Sequence, residues 1–445
     1  MKSPIKSILL YTFGSILFIL TVSPVFAQDK TAGYDMNLNE FIKEALKNNH
    51  NLKSQKHGVE VREKDVDIAR GERFGKISFD MSYKNYDEVT AVGNSVSGDY
   101  VKDDEEYSGV VSLEIPLYKG GSLIMNQKAA SAALESGKLD FSWEKDKLIY
   151  DVAQRYYQIL ETEKLIKTNN EHLNELIEEK RIVNEYIHVG KAIKIDGLKV
   201  DVEILTTEQE IESLKSDLKS SYLFLFHLTG IPPESAVTVR EVDEGDFKDY
   251  KLEDISAKAL INRKDYLSLE KEKSQMKYMT EVYKGKMKPE VNLIANYTVE
   301  GDSDLETFND WNAGVQFKYY FFQGGTALSK VKQARIEEDM LNEKIKELKS
   351  RINLEVCEAY FDMKTALVNL KRAKKSISYA EENLRIEKIK YEAEKNRIID
   401  IIDAQNLLLD VKTDYYEAVY QYKMAELEMR KASGDIEYIL KGDSI

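Results

Sequence analysis

The side chains best suited to chemistry in this sequence are acidic. Asp400 and Asp403 stand three apart in Asp400-Ile401-Ile402-Asp403-Ala404-Gln405, a spacing that puts both carboxylates on one face of a helix. Negative charges this close raise one another's pKa and attract cations, though the pair can equally be a solvated helix face. Asp196 stands 204 positions before Asp400. No nucleophile is paired with a base, and no phosphate-binding glycine motif or nucleophile elbow occurs. The single cysteine, Cys357, lies beside Val356 and reads as a small packed side chain. His50 and His57 stand seven apart, but two ligands without a third rarely hold a metal. The chain therefore reads as neither an enzyme nor a metal or cofactor binder. A net charge of −14 argues against nucleic acid, which needs a basic face.

The elements that would position these residues are written twice. Tyr118-Lys119-Gly120-Gly121-Ser122 returns 204 positions later as Phe322-Gln323-Gly324-Gly325-Thr326, and Val152, Tyr156 and Tyr157 return as Val356, Tyr360 and Phe361. Gly230 returns as Gly434. Upstream, Leu38-Asn39-Glu40-Phe41 resembles Leu252-Glu253-Asp254-Ile255 at a slightly longer offset. Two repeats are expected, 28–236 and 237–445. Each holds a helix of about 30 residues, two strands and two long helices (strands 76–87, 107–118, 290–300 and 311–322; helices 122–188, 192–229, 326–393 and 397–433).

The long stretches favour helix because Ala327 to Ser433 contains neither Gly nor Pro, the two poorest helix formers. Val356, Met363, Leu370, Ile377, Leu384 and Tyr391 stand seven apart, a coiled-coil seam. At 1.5 Å per residue the stretch from Ser122 to His188 would be roughly 100 Å long, far more than a globular domain needs. Breaks at Val189-Gly190-Lys191 and near Glu394-Lys395-Asn396 would turn each helix back on itself, and Gly190 can adopt the positive φ of a tight reversal.

The four strand segments alternate. Ile77, Phe79, Met81 and Tyr83 share one face, as do Val111, Leu113, Ile115 and Leu117; Val291, Leu293, Ala295, Tyr297 and Val299; and Trp311, Ala313, Val315, Phe317, Tyr319 and Phe321. About ten residues suffices for a strand to cross a bilayer, and Tyr86, Tyr107, Tyr118, Trp311 and Phe322 would sit at its interfaces. Lys2, Lys6, the uncharged run Ile8 to Val22 and Ala27 before Gln28 read as an export signal over 1–27. Four strands cannot close a membrane barrel, which needs at least about eight. Open edges in lipid cost several kcal/mol per unpaired group, so copies must pool strands, and three give twelve. The polar stretches Val89 to Glu106 and Gly301 to Asp310 suit solvent outside the cell. A soluble periplasmic adaptor with one coiled-coil hairpin, or a structural coiled coil, is the competing reading; neither calls for two hairpins each preceded by two amphipathic strands.

With these residues in view, the sequence resembles the TolC-like outer-membrane factor family. The match lies in Ile115-Pro116-Leu117-Tyr118-Lys119-Gly120-Gly121, its counterpart Phe321-Phe322-Gln323-Gly324-Gly325, and Asp400-Ile401-Ile402-Asp403-Ala404-Gln405. The second half lacks a counterpart of Pro116. The resemblance implies a mainly α protein with membrane β: a homotrimer whose twelve-stranded outer-membrane barrel continues as a helical periplasmic tunnel. It implies passive export in a Gram-negative bacterium, fed by a periplasmic adaptor and an inner-membrane pump or ABC exporter. By the same resemblance Val189, Gly190, Lys191, Lys395 and Asn396 meet the adaptor, and Asp400 and Asp403 line the entrance. Asp196 matches an aspartate that latches the entrance through an arginine. Here the aligned position is Asn396, with Arg397 beside it, and one residue turns a helical side chain by roughly 100°, which leaves the pairing open. Gly120, Gly121, Gly324 and Gly325 turn strand into helix.

Overall fold

The computed structural model describes residues 34–85, 105–240, 251–302, 307–393, 395 and 397–441. The export signal, Tyr86, most of the stretch from Val89 to Glu106, part of that from Gly301 to Asp310, Glu394 and Asn396 lie outside the described residues. In chain order the elements are β1 (Tyr34–Met36), α1 (Leu38–Asn48), α2 (His50–Gly71), β2 (Lys76–Asn85), β3 (Glu105–Lys119), α3 (Ser122–His188) and α4 (Lys194–Thr229). There follow β4 (Val237–Val239), α5 (Leu252–Asn262), α6 (Lys264–Gly285), β5 (Glu290–Asp302), β6 (Thr307–Lys318), α7 (Thr326–Glu392) and α8 (Ile398–Ala432), closed by a 3-10 turn at Ile436–Lys441.

The duplication holds element by element. Ser122 and Thr326 open helices of 67 residues each, and α2 and α6 are 22 residues each, ending at Gly71 and Gly285. The expected 30-residue helix is instead two helices in each half. Asn49 has ψ 122, outside the helical range, and its side chain accepts the Leu52 amide, capping α2. Arg263 breaks the second copy at the same place with ψ 117. Its guanidinium is buried on Asp265 and Glu355 and lies over Trp143 at 5.1 Å. Asn49 thus caps the helix that follows it, whereas Arg263 makes no side-chain cap and is held by its ion pairs instead. A parallel pairing of β1 with β4, Tyr34 opposite Val237, was not foreseen; three residues are too few to show a period.

The larger sheet is antiparallel in the order β2-β3-β5-β6. Its register carries Phe79, Val111, Tyr297 and Trp311 straight across one face, with Ser78, Ser112, Asn296 and Asn312 across the other. Four separately alternating segments thus form one apolar face, and Phe79, Val111, Tyr297 and Trp311 are all exposed in the chain. Pro116 sits at a bulge beside Leu117, where a strand tolerates a residue without an N–H. β6 ends at Lys318, short of the expected residue 322.

The helices pack as the seam predicts: Val356, Met363, Leu370 and Leu384 are buried along α7. Three clusters hold the molecule together. One joins α1 and α3 around Phe41, Val152 and Tyr156, and one joins α5, α7 and α8 around Ile352, Val356 and Met363. The third, Val183, Val200, Ala380, Leu384, Ile398 and Ile402, ties the far ends of the two hairpins to each other.

Candidate functional site

The strand-to-helix turns come first because they aim everything below them. Gly120 and Gly121 have φ of 63° and 84°, and Gly324 and Gly325 have 58° and 75°. Two successive left-handed residues bend the chain within one step, and only glycine takes this conformation without a steric penalty. Ser122 Oγ then donates to the Lys119 carbonyl at 2.7 Å, and Thr326 Oγ1 to the Gln323 carbonyl at 2.8 Å, so both helices start alike.

At the opposite end the two hairpin tips share one backbone hydrogen bond. Lys191 N donates to the Tyr186 carbonyl at 2.8 Å and Lys395 N to the Lys390 carbonyl at 2.9 Å, the same bond 204 positions apart. This six-to-one bond terminates a helix that reverses in a left-handed residue, and Gly190 has φ 76°. Val189, Gly190, Lys191 and Lys395 are all exposed. Tyr186 of α3 and Tyr391 of α7 stack at 5.7 Å just inside the tips and brace one hairpin on the other. Sequence reasoning placed Tyr391 on the seam but missed this pairing, since the two residues are not related by the repeat.

Asp196 and Asp400 begin the returning helices. Asp400 Oδ2 accepts the Arg397 amide at 2.8 Å, and Asp196 Oδ2 accepts the Ile193 amide at 3.2 Å. A carboxylate at the third helical position reaching back to the N-cap amide satisfies an orphan donor and favours the helix dipole. The returning helices therefore begin at Lys194 and Ile398 rather than at 192 and 397. No ion pair joins Arg397 to Asp196 within the chain among the described residues. The structure does bring Asp400 and Asp403 together. Both open on one groove of about 730 Å³ that Glu387, Lys390 and Lys395 also line. Glu387 and Lys390 pair at 2.6 Å. Three carboxylates against two ammoniums leave the groove net negative.

Higher along the hairpins lie polar groups that the sequence did not single out. His172, Gln405 and, partly buried, Asn406 set a polar knot between α3 and α8, and Asn406 Nδ2 donates to Glu203 of α4 at 2.8 Å. Burial holds the His172 imidazole below its ordinary value. Their signal was faint, since Gln405 and Asn406 follow the acidic pair and His172 stands alone. Glu161 of α3 is pushed up to about 7 by burial and by Glu417 of α8. A free glutamate titrates near 4.3, so between these values the folded chain holds a proton that the unfolded chain has lost. Stability should fall as pH rises through this window. The thermal midpoint in detergent, followed from pH 5 to 8, is expected to decline for the wild type and to flatten in Glu161→Gln; parallel curves would exclude Glu161 as the cause.

Comparison with known proteins gives one answer. The profile of the family described as Outer membrane efflux protein matches residues 41–231 and 255–435, one match in each repeat. Outer membrane efflux protein BepC of Brucella suis biovar 1 is 19% identical over 408 residues, spanning 88% of this chain and 83% of that protein. The Campylobacter jejuni CmeC outer membrane channel superposes with a TM-score of 0.79 at 19% identity, over 90% of this chain and 86% of that one. The open state of the Neisseria gonorrhoeae MtrE outer membrane channel gives 0.72 at 15%, over 90% and 89%. With both repeats matched and the doubled strand, glycine turn and hairpin in place, the chain belongs to the outer membrane efflux protein family.

Proposed function

We propose that three copies of this export duct join their sheets into one twelve-stranded outer-membrane barrel, and their hairpins into a periplasmic tunnel narrowed by Asp400 and Asp403. The observation that carries this reading is the sheet. Its apolar residues fall in register on a single exposed face while, among the described residues, nothing pairs with the outer edges of β2 and β6. A face of that kind is matched by lipid, and lipid does not tolerate an open edge. The tips, with Val189, Gly190, Lys191, Lys395 and Asn396, meet a periplasmic adaptor, and an inner-membrane pump or ABC exporter delivers the cargo. Nothing in the duct needs catalysis; cargo moves down the path that the partners open.

At the narrow end three chains would place six carboxylates of Asp400 and Asp403 around the axis, a ring of the kind that selects cations. Asp403 is exposed and makes no hydrogen bond or ion pair among the described residues, whereas Asp400 is engaged at its helix cap. Reversal potentials across planar bilayers under a salt gradient test this. The wild type should prefer cations, Asp403→Ala should lose most of the preference, and the double variant with Asp400→Ala should abolish or reverse it, because Lys390 and Lys395 remain in the groove. Unchanged selectivity in the double variant would remove the acidic constriction.

A further inference from the structure

Inside the tips, α3 of the first hairpin and α7 and α8 of the second enclose a groove of about 460 Å³. That is within the range of about 300–1,000 Å³ typical of small-molecule sites. It shares no lining residue with the groove of Asp400 and Asp403. Its walls are of two kinds. Ile182, Ile401 and the stacked rings of Tyr186 and Tyr391 form an apolar flank. Glu175, Glu178 and Glu179 of α3 and Glu392 of α7 supply carboxylates, against one ammonium, that of Lys388.

The Arg181 guanidinium holds Glu178 at 2.6 Å. Glu175, Glu179 and Glu392 make no hydrogen bond or ion pair among the described residues. Three free carboxylates against one ammonium leave two negative charges in excess, and they stand in unfavourable places. Glu175 and Glu179 are four apart on one helix, where like charges repel across about 5–6 Å. Glu179 is 6% exposed, and burial pushes its carboxyl above the ordinary value despite the pull of Lys388. Gln405 of α8 also lines the groove; it is 2% exposed, and its Oε1 is buried without a hydrogen-bond partner among the described residues. An acceptor in that state carries its desolvation penalty uncompensated, and the soft terminal torsion of glutamine lets the amide turn toward a donor. Among the described residues no three His, Cys, Asp or Glu side chains gather closely enough to hold a metal ion, so the charge is spread along the groove. What is missing is a pair of positive N–H donors joined by an apolar body.

We infer that this groove binds a linear aliphatic diamine, with one ammonium at Glu175 and Glu179, the other at Glu392, and the methylene chain along Ile182 and the tyrosine rings. The stack sets Tyr391, and hence Glu392, level with Tyr186. From Glu179 to Tyr186 the helix rises roughly 10 Å, so the two anionic ends are about one extended seven-carbon diamine apart. The groove lies within one chain and needs no second copy. A ligand so placed bridges α3 to α7 and α8 beside the Tyr186–Tyr391 brace. It should therefore tie the two hairpins together and raise the thermal midpoint with concentration.

Isothermal titration calorimetry of the full-length chain in detergent, with 1,7-diaminoheptane as probe, tests this. Saturable binding at one site per chain is expected, at least about tenfold tighter than for three controls. These are 1-aminoheptane, which lacks the second ammonium, 1,3-diaminopropane, which is too short, and Mg²⁺, which has no methylene body. Equal affinity for Mg²⁺ or the short diamine would overturn the site, because charge alone would then explain the binding. Glu179→Gln, similar in shape but uncharged, should weaken binding by at least about tenfold, since it leaves a desolvated ammonium unpaired. Lys388→Gln removes the competing ammonium and should tighten binding by about two- to fivefold, the size expected of an exposed charge. A gain of this kind cannot be imitated by misfolding, so it decides alone should Glu179→Gln fail to fold; unchanged affinity in Lys388→Gln would then overturn the site. Asp400→Ala with Asp403→Ala should leave the affinity unchanged. Loss of binding there, with Glu179→Gln unaffected, would put the probe at the other groove and overturn this one.

Discussion

Export is expected to fall more than tenfold when Gly190 is replaced by tryptophan, with trimers still assembling in the outer membrane. The tip geometry separates the two outcomes. Gly190 has φ 76° and a Cβ there would meet no atom within 4 Å, so the new side chain leaves the backbone into open space. The folding cost is the strain of a left-handed residue, about 1–2 kcal/mol, in a turn already held by the Lys191 to Tyr186 bond and braced by the Tyr186–Tyr391 stack. The indole projects instead from the exposed surface of Val189, Gly190 and Lys191, the surface proposed to meet the adaptor. Accumulation of a fluorescent pump substrate, measured beside a heat-modifiable trimer gel, gives both readings at once. Normal export from a correctly assembled Gly190→Trp duct would rule out docking at this tip.

The largest loss of stability should come from Gly120→Ala. Its φ of 63° costs a side chain about 1–2 kcal/mol. The added methyl would also lie 2.0 Å from the Gly285 carbonyl oxygen and 2.8 Å from the Gly285 carbonyl carbon, and backbone cannot swing aside as a side chain can. Overpacking of this kind adds about 1–3 kcal/mol. The junction where β3 hands over to α3 would then open, and the yield of folded protein should drop by roughly tenfold or more. Gly121→Ala is the control: its φ is 84°, but a Cβ there meets nothing within 4 Å, so strain alone remains. Similar thermal midpoints for the two variants would show that the Gly120–Gly285 contact contributes little.

Much of this architecture was legible from period and punctuation. An α7 of 67 residues follows from a stretch without Gly or Pro and a seven-residue apolar repeat, because helix propensity and seam spacing act within a turn or two. The glycine pairs were legible for the same local reason. The breaks at Asn49 and Arg263 were not, since a cap or a buried guanidinium depends on partners that the local pattern does not name; Glu355, which holds Arg263, lies 92 positions away. The site was legible in part. The sequence placed Asp400 and Asp403 on one face but could not say that Asp400 would cap its own helix, nor that Lys390 and Lys395 would share the groove.

The sequence by itself determined the duplication, the number of amphipathic strands and the length of the hairpins. Each is written as a repeat or a period, and backbone sterics and solvent read such patterns locally. Only the tertiary structure decided the register that gathers four apolar stripes onto one face, and the side of each half left uncovered. Pairing register and inter-helix contact depend on groups far apart in the chain meeting in space, and in the two halves identical elements meet different neighbours.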